Sequence, residues 1–410
     1  MSEPLCRSCG APLRDTFIDL GMSPFSNSYI RVQDAQQMEP FFPLHAYVCG
    51  SCFLVQLKEF ESPQDIFSDY AYFSSYSDSW VAHCKAYVDY VMQRFGLGGG
   101  HLVVEVASND GYLLKFFREK SVPVLGIEPA ANVAAVAQAA GIPTLVKFFS
   151  VDTARELVAD GKCADLLLGN NVLAHVPDLN DFVRGIAILL KASGVATFEF
   201  PHLLRLIKEN QFDTIYHEHF SYFSFITAEQ VFARHGLQLF DVEELLTHGG
   251  SLRIFAQHVG APHPLSPRVA ELRDRETRLG LLRMETYAAF TEQVKETKRN
   301  LLSFLIGEKR AGKSIVGYGA PAKGNTLLNY CGIRDDFLDY TVDRSPHKQG
   351  MLLPGTRIRV FAPEKIRETK PDYVFILPWN IRDEVMEQMR HIREWGGKFV
   401  LAIPTVKMVG

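Results

Sequence analysis

The sequence predicts an α/β protein of three parts: a small N-terminal metal-binding domain, a central Rossmann-like domain and a smaller Rossmann-like α/β domain at the C-terminus. Three observations carry this. Two Cys-x-x-Cys pairs crowd into the first 52 residues. From residue 101 short apolar runs alternate with amphipathic stretches, the pattern of strands and helices taken in turn. After residue 314 the alternation resumes behind a glycine-rich turn. A chain of 410 residues has room for three domains of ~100–200 residues each, and we place the divisions at 1–65, 66–260 and 261–410.

The 43 basic and 47 acidic residues leave a formal net charge of -4. That balance supplies no basic face, so no nucleic-acid partner is expected. No apolar run approaches the ~18 residues of a membrane span and the N-terminus has no hydrophobic signal region. The expectation is a soluble, cytoplasmic monomer without membrane contact.

Taking the parts in order, Cys6-Arg-Ser-Cys9 and Cys49-Gly-Ser-Cys52 are two knuckles whose small residues let the chain turn back. Four thiolates make a closed tetrahedral zinc site. With no open position left for a substrate, its role is structural, holding a segment too short to bury a core alone. Cys84, Cys163 and Cys331 are scattered and read as incidental thiols. Strand-like stretches are expected at 41–48 and 54–57. A bridge over 69–80, rich in aromatic and hydroxyl side chains, follows. Its Tyr70, Tyr72 and Tyr76 suit either domain-interface packing or a lid over a neighbouring site.

In the central domain strands are expected at 102–107, 124–127, 144–148, 164–168, 195–200, 239–242 and 252–256. Strand and helix in repetition make a largely parallel sheet, in which ligands lie beyond the carboxyl ends of the strands. The first strand ends in Glu105-Val106-Ala107-Ser108-Asn109-Asp110-Gly111. An acid inside the strand followed by a tight turn suits the amino-acid end of S-adenosylmethionine in a class I methyltransferase fold. The second ends in Glu128-Pro129, where a carboxylate can accept both ribose hydroxyls. A G-x-G-x-x-G cradle is missing from the first turn, which counts against a dinucleotide there. Asn171 and His175, after the fourth strand, can reach cofactor and substrate respectively.

After the fifth strand comes Tyr216-His217-Glu218-His219-Phe220-Ser221-Tyr222. It gathers two imidazoles, a carboxylate and two phenols, groups that move protons near neutral pH once burial or a neighbour adjusts them. A zinc-protease helix would need histidine four residues after His217, where Ser221 stands. We therefore read a loop carrying acid/base chemistry at the sheet's carboxyl edge.

Together the two knuckles, Glu105-x-x-x-Asn109-Asp110-Gly111, Asn171-x-x-x-His175-Val176, residues 216–222 and Gly249-Gly250-Ser251-Leu252-Arg253 resemble the nucleotide-sugar C-methyltransferases, over nearly the whole chain and in the same order. The resemblance implies zinc-binding, S-adenosylmethionine-binding and nucleotide-sugar-binding domains, and a nucleotide-linked 4-keto-6-deoxysugar (dTDP or similar) as substrate. It also implies a reaction that deprotonates the carbon beside the ketone and methylates the enolate. The acid/base region of the family matches Tyr216, Glu218 and His219, with His175 facing it and Tyr72 or Tyr76 nearby. His219 is the expected base, because an imidazole's ordinary pKa of ~6.5 suits the task. Glu218 is expected to orient it, and His175, Tyr216 or Tyr222 to hydrogen-bond the developing oxyanion. Ala107 departs from the family, which commonly has glycine there, so a methyl group intrudes where the cofactor nears the backbone.

In the C-terminal part, Leu272, Leu279, Leu282, Tyr287, Phe290, Val294, Leu301 and Leu305 recur at roughly helical spacing and read as the packing face of a long helical connection. Gly317-x-Gly319-x-x-x-x-Gly324 then follows a strand and opens a helix, with further strands expected at 340–342 and 373–377. Exposed N–H groups, the helix dipole and Lys323 favour an anion, so Lys323, Asn325 and Trp379 are assigned to the nucleotide diphosphate. Two rival readings remain at this level: an NAD-dependent oxidoreductase using the C-terminal domain, and a non-catalytic sugar-nucleotide-binding protein.

Overall fold

The computed structural model describes residues 3–60, 62 and 74–410. Tyr70 and Tyr72 lie outside the described residues, as does the side chain of Tyr76, whose backbone closes one 3-10 turn, Ser74–Tyr76.

The N-terminal part holds β1 (Asp15–Ser23), β2 (Ile30–Arg31), β3 (Phe42–Val48) and β4 (Val55–Leu57). β3 pairs antiparallel with both β1 and β4. β1 was not foreseen, and the reason is local: a register shift between Thr16 and Ile18 turns Phe17 and Ile18 both inward. That breaks the alternation by which a strand is recognised.

The central part holds β5 (Val103–Val106), β6 (Val124–Ile127), β7 (Thr144–Leu145), β8 (Ala164–Asn170), β9 (Leu190–Pro201), β10 (Ser221–Tyr222), β11 (Leu237–Leu245) and β12 (Ser251–His258). Seven of them form one sheet in the order β11-β12-β9-β8-β5-β6-β7. β7, β6, β5, β8 and β9 are parallel, and β12 runs against both its neighbours. Strand order reverses between β5 and β8, which opens a crevice at their carboxyl ends. β7 stops at Leu145, short of the expected 148. Val146 and Phe148 beyond it are exposed at the edge of the sheet.

β10 does not join this sheet. It pairs antiparallel with β4, Ser221 opposite Gln56 and Tyr222 opposite Val55. The 216–222 stretch therefore ends as a strand of the N-terminal sheet, and what sequence reads as one edge of the central domain is shared.

Helices Pro267–Arg278 and Met284–Arg310 follow. The break at Gly280, with φ +84, shifts the helical phase. Leu279 and Leu282, expected in the packing face, are therefore 37% and 38% exposed, while Leu272, Tyr287, Phe290, Val294, Leu301 and Leu305 are buried. The long helix lies on β1, with the Phe17 and Phe290 rings stacked 4.7 Å apart. The C-terminal sheet is made of β13 (Ile315–Tyr318), β14 (Thr341–Val342), β16 (Val360–Phe361), β17 (Tyr373–Ile376), β18 (Lys398–Leu401) and β19 (Lys407–Val409). Its order is β16-β14-β13-β17-β18-β19, and β15 (Met351–Leu352) pairs with β2.

The N-terminal sheet has no core of its own. Phe17, Leu44 and Val55 pack into the apolar cluster of the C-terminal part, whereas Cys6, Cys49, Cys52 and Leu54 pack into that of the central part. Each fully buried Phe, Leu or Val of this kind contributes roughly 1.5–3 kcal/mol, so the small segment is held by both neighbours as well as by its cysteines. No helix among the described residues is long and apolar enough to cross a membrane.

Candidate active site

The turn after β5 is built from left-handed backbone: φ is +55 at Ala107, +50 at Asn109 and +76 at Gly111. At Gly111 a side chain would lie 3.0 Å from Ile142, so only glycine fits. Asn109 is stabilised in this conformation by its own contacts. Its N–H donates to Glu128 Oε2 (2.9 Å) and its side-chain oxygen accepts from Ser74 N–H (2.9 Å), while Asp110 Oδ2 accepts from Ser75 N–H (3.2 Å). The turn thus ties the bridge segment to the sheet. Glu128 Oε1 accepts from Ala130 N–H (2.9 Å), so the carboxylate holds two backbone groups. Each oxygen still has a lone pair for a hydroxyl. The half-buried Pro129 lies between these two anchors.

Glu105 is wholly buried, and its two oxygens find no regular hydrogen bond among the described residues. Burial, partly offset by the Tyr112 hydroxyl, raises its carboxyl well above the ordinary value. Ser108 Oγ and Asp110 Oδ1 are likewise buried without a partner. Leaving such groups unsatisfied is costly. A ligand that brings an ammonium and ribose hydroxyls as donors and a carboxylate as acceptor suits these groups, and S-adenosylmethionine is such a ligand.

Across the crevice, His219 Nδ1 lies 3.0 Å from the carbonyl oxygen of Thr214, and Nε2 lies 2.8 Å from the Tyr216 hydroxyl. A carbonyl can only accept, so Nδ1 carries the proton and Nε2 accepts from Tyr216. Burial, reinforced by neighbouring His175, drives the pKa of His219 well below 6.5, and the ring is neutral. The His175 ring stands edge-on to it at 4.7 Å. Burial lowers His175 to about 4, against a contact with the Glu218 backbone that raises it. The Tyr222 ring is 6.0 Å from His219, and burial pushes its phenol well above 10. Two neutral imidazoles and two neutral phenols thus face one another.

Glu218 does not orient this imidazole as expected. The ring nitrogens are already held by Thr214 and Tyr216, and Glu218 Oε1 instead accepts from Asn27 Nδ2 (2.7 Å). The loop bend that brings Tyr216 back onto His219 turns the carboxylate toward the N-terminal segment. His217 is structural, its Nε2 donating to the Pro43 carbonyl (3.3 Å) among Phe25 and Phe42.

Cys6, Cys9, Cys49 and Cys52 bring their sulfurs within 4.8 Å of one another, with Cys6 to Cys52 at 3.6 Å and Cys9 to Cys49 at 3.5 Å. A disulfide would need ~2.05 Å, whereas tetrahedral zinc with Zn–S of ~2.3 Å separates its sulfurs by about 3.8 Å. Gln56 Nε2 and Ser51 N–H donate to Cys6 and Cys49, as bonds to thiolates do in such sites. Between the knuckle cysteines, Arg7 donates to the carbonyls of Pro177 (2.8 Å) and Leu57 (2.6 Å) and covers the Phe220 ring. The metal knuckle therefore braces both the His175 loop and the 216–222 stretch.

Asn171, with φ +55, donates from Nδ2 to His248 Nε2 (3.0 Å). Sequence reading passed over His248 although it directly precedes the quoted Gly249-Gly250 pair. It also passed over Asn27, for which no sequence signal exists, and gave no role to Asp213 and Thr214 at the head of the 213–223 stretch. The structure does not put Asn325 and Trp379 on an open anion site. Asn325 is 1% exposed and donates to the Ser26 carbonyl (2.6 Å), and the Trp379 indole donates to Asp213 Oδ2 (2.7 Å). The glycines of the turn serve close packing: a side chain at Gly319 would meet Pro378 at 2.6 Å and one at Gly324 would meet Leu377 at 2.9 Å.

Comparison with known proteins agrees with this geometry. The family model of a zinc binding domain matches residues 6–67, that of a methyltransferase domain residues 83–242, and that of a C-methyltransferase C-terminal domain residues 246–404. Among solved structures, an S-adenosylmethionine-dependent methyltransferase from Mesorhizobium loti is 16% identical, covering 40% of this chain and 92% of its own, with a TM-score of 0.33. Magnesium protoporphyrin IX methyltransferase from Synechocystis, solved with its cofactor, is 14% identical, covering 47% and 88%, with a TM-score of 0.34. Similarity that low says nothing about substrate or mechanism. The C-methyltransferase NovU of Streptomyces niveus, by contrast, is 35% identical over 407 residues, 98% of this chain and 96% of that protein. The chain belongs to the C-methyltransferase family, S-adenosylmethionine-dependent enzymes that here carry an N-terminal zinc domain.

Proposed function

We propose that the enzyme methylates the carbon next to the ketone of a nucleotide-linked 4-keto-6-deoxysugar, through an enolate. The observation that carries this reading is the pairing of a neutral, tautomer-fixed His219 with the Tyr216 hydroxyl, beside a second neutral imidazole and a second phenol. A proton next to a ketone is weakly acidic, so its removal calls for a base and for hydrogen-bond donors at the oxygen.

The proton passes to His219 Nε2, with the Tyr216 hydroxyl either swinging aside or handing on its own proton as it takes the sugar's. The C–H electron pair becomes the new C=C bond, and the carbonyl pair moves onto oxygen. His175 and the Tyr222 hydroxyl are the neutral donors for that oxygen. Glu105, Ala107, Asn109, Asp110 and Gly111 would hold the amino-acid end of S-adenosylmethionine and Glu128 and Pro129 its ribose, with Asn171 as a further cofactor contact. So held, it would supply the methyl group to the enolate carbon, with the electron pair of the broken C–S bond left on sulfur. Cys6, Cys9, Cys49 and Cys52 hold one zinc ion and keep out of the reaction.

The test is incubation with S-adenosylmethionine and a panel of dTDP-, GDP- and CDP-linked 4-ketosugars, followed by mass analysis. A gain of one methyl on a sugar carbon is expected. Methylation at oxygen, or of none of the panel, would remove the reading.

A further inference from the structure

Lys323 opens the helix Ala322–Cys331 of the C-terminal part, where sequence reading assigns it to a diphosphate. The structure gives it different surroundings. Its Nζ donates to Asn380 Oδ1 (2.8 Å) and stands 4.6 Å above the Trp379 ring. Trp379 is pinned by its bond to Asp213, one residue before the Thr214 whose carbonyl fixes His219. One turn along the same helix, Thr326 Oγ1 donates to the Ile215 carbonyl (3.0 Å). The helix is therefore docked directly on residues 213–215, the chain leading into Tyr216.

Lys323 is enclosed by protein yet keeps part of its surface open, as a side chain lining a deep cleft does. Among the described residues it has no ion pair within 4.0 Å. Burial is the main cause that lowers the basicity of His219 and His248, and the charge of Lys323 adds to it at both. Asp213 opposes the burial of this charge through space but has its Oδ2 taken by the Trp379 indole and is not paired with Lys323; a cation held in this way also favours a negative charge that develops nearby.

We propose that Lys323 is a catalytic residue: its ammonium meets the negative charge that builds on the sugar's carbonyl oxygen as the neighbouring carbon loses its proton. The C-terminal domain then delivers electrostatic stabilisation to a site whose base and methyl donor belong to the rest of the chain. A preorganised charge in an enclosed site is worth far more than one in water. This inference rests on the enolate reading above.

The experiment follows exchange of the sugar's α-proton with solvent deuterium, with S-adenosylhomocysteine in place of the methyl donor. The probe is whichever of the dTDP-, GDP- or CDP-linked 4-ketosugars the wild-type enzyme exchanges. Lys323→Met is expected to slow exchange and kcat by about 10²–10³-fold, the usual loss when one oxyanion partner is removed, with KM changed by less than about threefold. Lys323→Arg is expected to recover part of the rate. A raised KM with kcat and exchange unchanged would make Lys323 a remote substrate contact and overturn the proposal. Lack of exchange by the wild type on every probe would sink the enolate reading itself, and the inference with it. Should Lys323→Met fail to melt cooperatively, the comparison moves to Lys323→Gln, where an unchanged rate of exchange would likewise overturn the proposal.

Discussion

The Tyr216 hydroxyl and His219 Nε2 lie 2.8 Å apart, and because the Thr214 carbonyl takes the proton on Nδ1, the phenol is the donor in that pair. The imidazole is thus held with its only lone pair pointed at a hydroxyl that can relay a proton. His219→Asn keeps a bond to Thr214 but has no basic nitrogen. It should lower turnover by roughly 10²–10⁴-fold with little change in S-adenosylmethionine affinity. Tyr216→Phe separates the two routes: a direct base would keep most α-proton exchange, a relay would lose it as fully as His219→Asn does.

The pH profile should be unusual at both ends. As the proposed base, His219 works unprotonated, and with its pKa well below 6.5 kcat/KM should stay flat as pH falls through 6.5. In the role proposed for it, Lys323 works protonated. Burial lowers it to about 8, against an opposing pull from Asp213, so activity should be full below that value and fall as pH rises through it. The measurement is kcat/KM from pH 5 to 10; a single acid limb near 6.5 would mean that a solvent-exposed histidine is the base.

Zinc removal should abolish methyl transfer before it abolishes cofactor binding. The cysteine knuckles lead into β4, which pairs with Ser221 and Tyr222, and Arg7 braces the loop behind His175. The turn at Glu105 to Gly111 belongs to a different sheet. Cys49→Ser, or treatment with a strong chelator, should release about one zinc per chain and end turnover. Calorimetry should still detect S-adenosylmethionine. Full activity in metal-free protein would refute the bracing role.

Glu128 has a structural duty beside its expected one. Glu128→Ala strands the buried N–H groups of Asn109 and Ala130, at about 1–3 kcal/mol for each unsatisfied group, so lost cofactor affinity in that variant would be confounded by local unfolding. Glu128→Gln retains one acceptor oxygen. It should weaken S-adenosylmethionine binding with a melting temperature closer to wild type than that of Glu128→Ala.

Ala107→Gly tests the departure from the family. At φ +55 an alanine is strained by roughly 1–2 kcal/mol, while glycine loses about 0.4–1 kcal/mol through the unfolded chain. The variant should be as stable as the parent or more so, by up to about 1.6 kcal/mol. Its S-adenosylmethionine affinity should be equal or higher; a weaker affinity would show that the methyl group itself contacts the cofactor.

What the sequence determined by itself is what depends on local spacing. Two Cys-x-x-Cys pairs specify a four-sulfur site, apolar runs broken by amphipathic stretches specify a parallel sheet, and Glu105 to Gly111 with Glu128 mark the turn proposed for the cofactor. Residues 216–222 stand out through the clustering of titratable side chains on which the proposed acid/base role rests. Partnership across the chain left no such trace. That Tyr216 and Thr214, and not Glu218, hold His219 follows from a loop bend, since in a straight strand neighbours point to opposite faces. That β10 belongs to the N-terminal sheet, that Asn27 reaches Glu218 across 191 positions, and that Lys323 sits over Trp379 were settled only by packing. Hydrogen bonds and charges act through space over a few ångströms, and which residues come within that reach is a property of the whole fold.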